Sequence, residues 1–176
     1  MTPIDEKRKF IAINIAVLTI SDSRNLENDA SGDFLVQSIK DHGHLIYDRQ
    51  IIKDEVSLIK NTILSWATNH KINAIITSGG TGLTGRDSTP EAIQSITDKN
   101  IEGFGELFRQ ISFNKIGTST VQSRALGALI KGTYIFALPG SPSACKDAWN
   151  EILKYQLDNR YVPCNFIEII PRLMEV

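Results

Sequence analysis

The segment Ile13–Ile20 sets the first constraint on the fold. It is almost wholly apolar, rich in β-branched side chains and without a polar face, so it reads as a strand buried on both sides. Such a strand belongs inside a sheet covered by helices above and below. The following segments agree. Asp29 or Ser31 is placed to cap a helix running to about Asp41, with Phe34, Leu35, Ser38 and Ile39 inward and Gly43 just past its end. Leu45–Ile52 reads as a second strand, Val56 to about Asn69 as a second helix, and Ala74–Thr77 as a third strand. Ser88 and Glu91 have the spacing of a capping box, and Pro90 suits a first helical turn. Phe104, Leu107, Phe108 and Ile111 form a stripe on a helix expected over 103–113. Lys131-Gly132 between Leu126–Ile130 and Thr133–Leu138 predicts a tight hairpin, and Pro139–Pro142 leads into a helix through about Tyr155.

Alternating strands and helices predict an α/β fold of three layers: a mostly parallel sheet, helices on both faces, and an antiparallel hairpin strand. Residues 1–12 read as an N-terminal extension and 13–170 as a single domain, which suits a chain of 176 residues. In folds of this class ligands bind beyond the carboxyl ends of the strands. Three strands end in polar or glycine-rich loops, Thr19–Asp22, Ser78–Gly82 and Pro139–Ser141. If those strands are parallel, the loops share one edge, and that edge is the expected site.

The densest local signal is residues 74–91, an apolar run followed by Gly79-Gly80-Thr81-Gly82, then Asp87, then a helix start. Glycines let backbone amides approach an anion closely, which suits phosphate groups. Gly80 to Gly85 spells G-x-G-x-x-G, but no helix opens within it and the first strand lies elsewhere, so it is not a dinucleotide fingerprint. No G-K-[ST] follows, so it is not a P-loop. Among the carboxylates at element junctions, Asp22, Asp54, Asp87 and Glu91, Asp87 is the first choice to hold Mg²⁺ with substrate phosphates and Asp54 the second. Taken singly, Asp54 also reads as a cap for the helix at Val56, and Glu91 as half of the capping box. Ser141 before Pro142 reads as an N-cap, and a helix start is itself favourable to anions. Arg86, Arg109 and Arg124 suit either phosphate clamps or surface salt bridges. His42, His44 and His70 read as surface residues and Cys145 as core.

A net charge of −1 with no run of lysines and arginines gives no footprint for nucleic acid. No apolar run approaches the roughly 20 residues that span a bilayer. The apolar run Ile11–Ile20 ends in Thr-Ile-Ser-Asp rather than a small-residue cleavage site. Cys145 and Cys164 lack CxxC spacing and read as reduced thiols of a cytoplasmic protein.

Five stretches in order, Ala16–Asp22, Thr77–Gly82, Gly85–Glu91, Gly103–Glu106 and Leu138–Pro142, resemble the molybdopterin-binding family of molybdenum cofactor biosynthesis. The resemblance runs from Ile15 to about Phe166. Gly117–Thr120, Ser123-Arg124 and Pro163–Phe166 look most like its B branch. It implies a homo-oligomer, trimer or hexamer, and Mg²⁺-dependent adenylylation of molybdopterin by ATP, with pyrophosphate released and molybdate inserted by a separate protein. It further implies catalytic and metal roles for Asp54 and Asp87. Thr19, Ser21, Asp22, Ser78, Gly79, Gly80, Thr81, Gly82, Glu91, Pro139, Gly140 and Ser141 would bind pterin phosphate or nucleotide. The alternatives are a non-catalytic molybdopterin carrier or assembly subunit, and a hydrolase using the same loop and cation.

Overall fold

The structure is a computed structural model that describes residues 4–175. Met1–Pro3 of the expected extension, and Val176, lie outside the described residues. One sheet of six strands carries the fold, in the order β2-β1-β3-β6-β5-β4. The strands are β1 (Asn14–Ile20), β2 (Leu45–Ile52), β3 (Ala74–Ser78), β4 (Lys99–Ile101), β5 (Leu126–Ile130) and β6 (Thr133–Leu138). The first three and β6 run parallel, while β5 is antiparallel to β6 and β4 to β5. This is the expected three-layer, mostly parallel α/β architecture with an antiparallel hairpin strand.

β1 lies between β2 and β3, and its residues from Ile15 to Ile20 are buried, as a strand with two covered faces requires. Successive side chains feed opposite cores. Ile15 and Val17 join Leu35 and Ile39 of α1 (Ala30–Asp41), Phe104 and Phe108 of α4 (Glu102–Ile116), and Cys145 of α5 (Pro142–Ala148). Ala16, Leu18 and Ile20 join Ile59, Ile63 and Trp66 of α2 (Val56–Ala67), and Ala92 and Ile93 of α3 (Thr89–Gln94). The chain thus winds over one face through α1 and returns over the other through α2, so the order reverses between β1 and β3.

Several expectations are corrected. β4 is absent from the sequence reading because three polar-rich residues carry no period. α4 runs past the expected Phe113 to Ile116, where Gly117 at φ 58° ends it. α5 passes into a π-helical turn, Trp149–Leu153, and a last helical turn, Lys154–Gln156. Of the histidines, only His70 is exposed. His44 is 3% exposed, and His42 Nε2 lies 3.3 Å from Asp158 Oδ2. Phe10 covers both imidazoles, with ring centroids 5.8 Å from His42 and 5.0 Å from His44. The segment before β1 is held there by Asn159, whose Oδ1 accepts from Ile11 N at 2.8 Å and whose Nδ2 donates to Lys9 O at 3.0 Å.

Candidate functional site

Because β1, β3 and β6 are parallel neighbours, their three terminal loops meet at one edge of the sheet, as anticipated. Gly79 N donates to Leu138 O at 3.0 Å, and a Cβ on Gly140 would lie 3.3 Å from Gly79 Cα, so two of the loops are in direct contact. Gly79 has φ 103° and Gly80 φ 63°, conformations that side chains beyond glycine resist. A Cβ on Gly80 would lie 2.2 Å from Thr89 Oγ1 and 2.5 Å from Asp54 Oδ2. On Gly82 it would lie 2.5 Å from Asp87 Oδ2. The glycines therefore let two carboxylates close in on the loop backbone.

Asp54, where β2 passes into α2, is 8% exposed, and its Oδ1 accepts from Ser88 N at 3.2 Å and Ser88 Oγ at 2.7 Å. It does not cap α2, whose N-cap is Glu55 without a side-chain bond. The expected capping box is also absent. Ser88 is the N-cap of α3 but spends its hydroxyl on Asp54, while Glu91 pairs with Arg124. Partners distant in sequence have displaced the local bonds that the spacing suggested.

Asp87 Oδ2 accepts from Thr84 N at 2.9 Å and Thr84 Oγ1 at 2.6 Å. Those Thr84 bonds hold its carboxyl below the usual range, even against partial burial. Asp22 pairs with Arg86 at 2.7 Å and accepts from Asp54 N at 3.3 Å. The Arg86 hydrogen bond holds the Asp22 carboxyl low. At Glu91 burial works against charge, but the Arg124 bond outweighs it and the carboxyl is depressed. Among the described residues neither Asp54 nor Asp87 has an ion-pair partner within 4.0 Å, unlike Asp22 and Glu91.

The remaining expected residues fall into two groups. Ser21, Pro139, Gly140 and Ser141 lie in the loops at this edge; Ser21 Oγ accepts from Arg24 N at 3.2 Å, and Ser141 caps α5 through Ala144 N. Thr19 and Ser78 are fully buried beneath it, and Thr81 nearly so. Thr19 Oγ1 donates to Asp29 Oδ2 at 2.7 Å, whereas Ser78 Oγ has no hydrogen-bond partner. Thr89, not anticipated, donates from Oγ1 to Gly79 O at 3.0 Å.

The sequence reading missed the charged hub under these loops. Asp29, expected only as a cap, does bond Gly32 N at 3.0 Å, but it is also completely buried against Arg49 at 3.0 Å and Arg24 at 3.6 Å. Burial pushes its carboxyl up, yet bonds from Thr19, the Gly32 amide and Arg49 bring it below the usual range. Arg24 Nη2 and Ser31 Oγ both donate to Gly140 O, at 2.7 and 2.8 Å, tying the β6 loop to the β1 loop. A lone arginine in a polar loop gives no signal of such a role.

Two clefts flank the glycine loop. One, of about 650 Å³, is lined by Asp54, Ser57, Lys60, Asn61, Arg86 and Ser88. The other, of about 500 Å³, runs between α3, β5 and α4, with Gln94, Glu106, Arg109 and Arg124 on its walls. Among the described residues no three His, Cys, Asp or Glu side chains gather to hold a metal ion on their own. A Mg²⁺ ion needs only one or two carboxylates when phosphates and water complete its shell, and Asp54 and Asp87, each with one oxygen held by Ser88 or Thr84 and no cationic partner, suit that role. The edge thus brings a glycine-rich loop together with two carboxylates that lack cationic partners.

Residues 16–159 match the family described as "Probable molybdopterin binding domain". The chain is 44% identical over 158 residues to molybdenum cofactor biosynthesis protein B of Escherichia coli (strain K12), covering 90% of this chain and 93% of that protein. A crystal structure of a molybdenum cofactor biosynthesis protein B superposes with a TM-score of 0.85 at 35% identity, over 94% of this chain and 98% of the other. The tungsten cofactor synthesizing protein MoaB from Pyrococcus furiosus gives a TM-score of 0.72 at 30% identity, over 80% and 90%.

Proposed function

This chain belongs to the molybdopterin-binding family of molybdenum cofactor biosynthesis proteins, and from that membership we propose that it transfers the adenylyl group of ATP to molybdopterin. The terminal phosphate oxygen of the pterin attacks the α-phosphorus of ATP, the bond to the β-phosphate breaks, and pyrophosphate leaves. The attacking phosphate is already ionised at neutral pH, so the protein needs no strong base. Its task is to align two anions and to offset charge that accumulates between them.

The observation that carries this reading is the pair of carboxylates without ion-pair partners, Asp54 and Asp87, packed against Gly80 and Gly82. They would hold Mg²⁺, whose chemistry is to offset phosphate charge. Gly79 N is taken by Leu138 O and Gly82 N faces Asp87, so within Gly79–Gly82 the amides of Gly80 and Thr81 would receive phosphate, and Thr84 and Ser88 keep the two carboxylates aimed. Ser21, Asp22, Glu91 and Pro139–Ser141 would line the remainder, with Thr19, Ser78 and Thr81 as its floor. The reading takes 13–170 as one molybdopterin-binding domain with 1–12 as an extension.

We further assign the protein to the cytoplasm as a homo-oligomer, a trimer or hexamer, that passes its product to a separate molybdate-insertion protein. Leu107, Phe113, Ile116 and Val121, exposed on α4 and the turn after it, support self-association. No helix among the described residues is long and apolar enough to cross a membrane.

The deciding experiment incubates the chain with α-labelled ATP, Mg²⁺ and molybdopterin and follows label onto the pterin. Transfer that requires every component is expected. Molybdopterin bound without transfer would make the protein a carrier instead, and ATP consumed without the pterin would make it a hydrolase.

A further inference from the structure

The sequence leaves Arg124 open as a phosphate clamp, but its guanidinium is already committed. Nε donates to Thr81 O at 3.3 Å, Nη2 donates to Asp87 O at 3.0 Å, and Nη1 pairs with Glu91. The first two bonds fall at opposite ends of the loop that carries Gly82, Thr84 and Asp87. Arg124 itself sits in the short lead into β5, between the 3₁₀ turn Gly117–Gln122 and the sheet. A single side chain from outside the loop thus grips it at two carbonyls.

The peptide plane turns that grip into a statement about amides. In a trans peptide the C=O and the following N–H point in opposite directions. Holding Thr81 O toward Arg124 turns Gly82 N–H away from it, toward the side where the Asp87 carboxylate stands. Holding Asp87 O turns Ser88 N–H away, and that amide donates to Asp54 Oδ1 at 3.2 Å. Each of these two peptides is bounded by the guanidinium on its carbonyl side and by a site carboxylate on its amide side.

We infer that Arg124 is a positioning residue that sets the loop amides and both carboxylates, with Glu91 as its tether, and that it does not itself bind phosphate. The inference rests on the adenylyl-transfer reading for its effect on rate, but not for its effect on the loop. Lysine cannot replace the fork, because one ammonium is a point donor on a flexible stem and cannot serve two carbonyls and a carboxylate in fixed directions.

The test compares the full chain with Arg124→Lys and Glu91→Gln by amide hydrogen exchange over residues 79–88, by thermal melting, and by steady-state adenylyl transfer. In Arg124→Lys the loop amides exchange about 10-fold faster or more while the melting temperature moves by only a few degrees. Its kcat falls about 10- to 100-fold with the KM for ATP within about threefold, since alignment rather than uniform binding is lost. Glu91→Gln, which keeps both carbonyl bonds, gives the same pattern at smaller size. Unchanged loop exchange in Arg124→Lys overturns the inference, and so does a raised KM with unaltered kcat, the signature of direct phosphate binding. Faster exchange in a chain whose wild type transfers no adenylyl group upholds the positioning role and overturns the adenylyl-transfer reading.

Discussion

Gly80 and Gly85 lie five positions apart in one loop and have opposite structural needs. Gly80 has φ 63° and no room for a methyl, which would press on Thr89 and Asp54; a Cβ on Gly85 meets nothing within 4 Å. Gly80→Ala is expected to lower the melting temperature by several degrees, through about 1–2 kcal/mol of left-handed strain. It should also cut adenylyl transfer by 100-fold or more, since Asp54 must move. Gly85→Ala should leave both within experimental error, and an equal effect at the two positions would remove the loop's shape from the argument. At the carboxylates, Asp87→Asn and Asp54→Asn keep the size of the side chain and remove its charge. Each is expected to lower kcat by about 100-fold or more, the scale of losing one preorganised electrostatic group. Turnover undiminished in Asp87→Asn would dismiss the proposed cation site. The placement of Asp87 against the glycine loop was legible because loop chemistry is local. Asp54's bond to Ser88 was not, since nothing in Lys53-Asp54-Glu55 tells which distant segment will fold over it.

At the scale of elements, the hairpin between β5 and β6 shows how local rules succeed and still leave strain. Lys131 at φ 49° and Gly132 at φ 79° both take left-handed backbone, as a two-residue turn between twisted strands demands. Glycine meets this without strain, but lysine is the one non-glycine residue with positive φ among the described residues. Asparagine tolerates that region better. Lys131→Asn should therefore raise the melting temperature by roughly 2–4 °C at fixed protein concentration, about 1 kcal/mol for a chain of this size. The main-chain bond from Lys131 N to Asp98 Oδ2 at 2.6 Å does not depend on the side chain and should persist. A lower melting temperature would mean that the lysine side chain contributes something the turn geometry does not reveal. The same hairpin was readable because Lys-Gly between two apolar runs is a signal in itself. The start of α4 was read to within one residue of Glu102, but β4 was not readable, because Lys99–Ile101 is too short to show alternation. Pairing with β5 alone makes those three residues a strand.

Across the whole molecule, the end of the sheet opposite the site governs how global stability responds to pH. His44 is closed in by Phe10 and His42, its Nδ1 accepts from Ile13 N at 3.3 Å, and its Nε2 is buried without a hydrogen-bond partner. Burial, helped by the neighbouring His42, pushes its pKa down from 6.5 to about 4, with Asp158 opposing only in part. Burial lowers His42 as well. Above pH 6.5 His44 is neutral both folded and unfolded, and its contribution to stability is complete. Between 6.5 and 4 the unfolded chain takes the proton first, so stability falls as the pH falls, and below 4 this group costs nothing further. The whole loss amounts to about 3 kcal/mol at most. Asp29 and Asp158 are both held below the usual carboxylate range, so their contributions persist above their unfolded pKa of 3.8 and fail only at lower pH. The upper part of the window from 6.5 to 4 therefore belongs to the histidines, with the depressed carboxyl of Glu91, ordinarily 4.5, adding a loss only toward its lower end. Urea midpoints measured from pH 7.5 to 4.5 at one protein concentration should decline for the wild type and decline less for His44→Gln, which carries no titrating group. A wild-type midpoint that stays level across that range would show that the imidazole takes up its proton without unfolding, and that Phe10 is not a fixed cover over it.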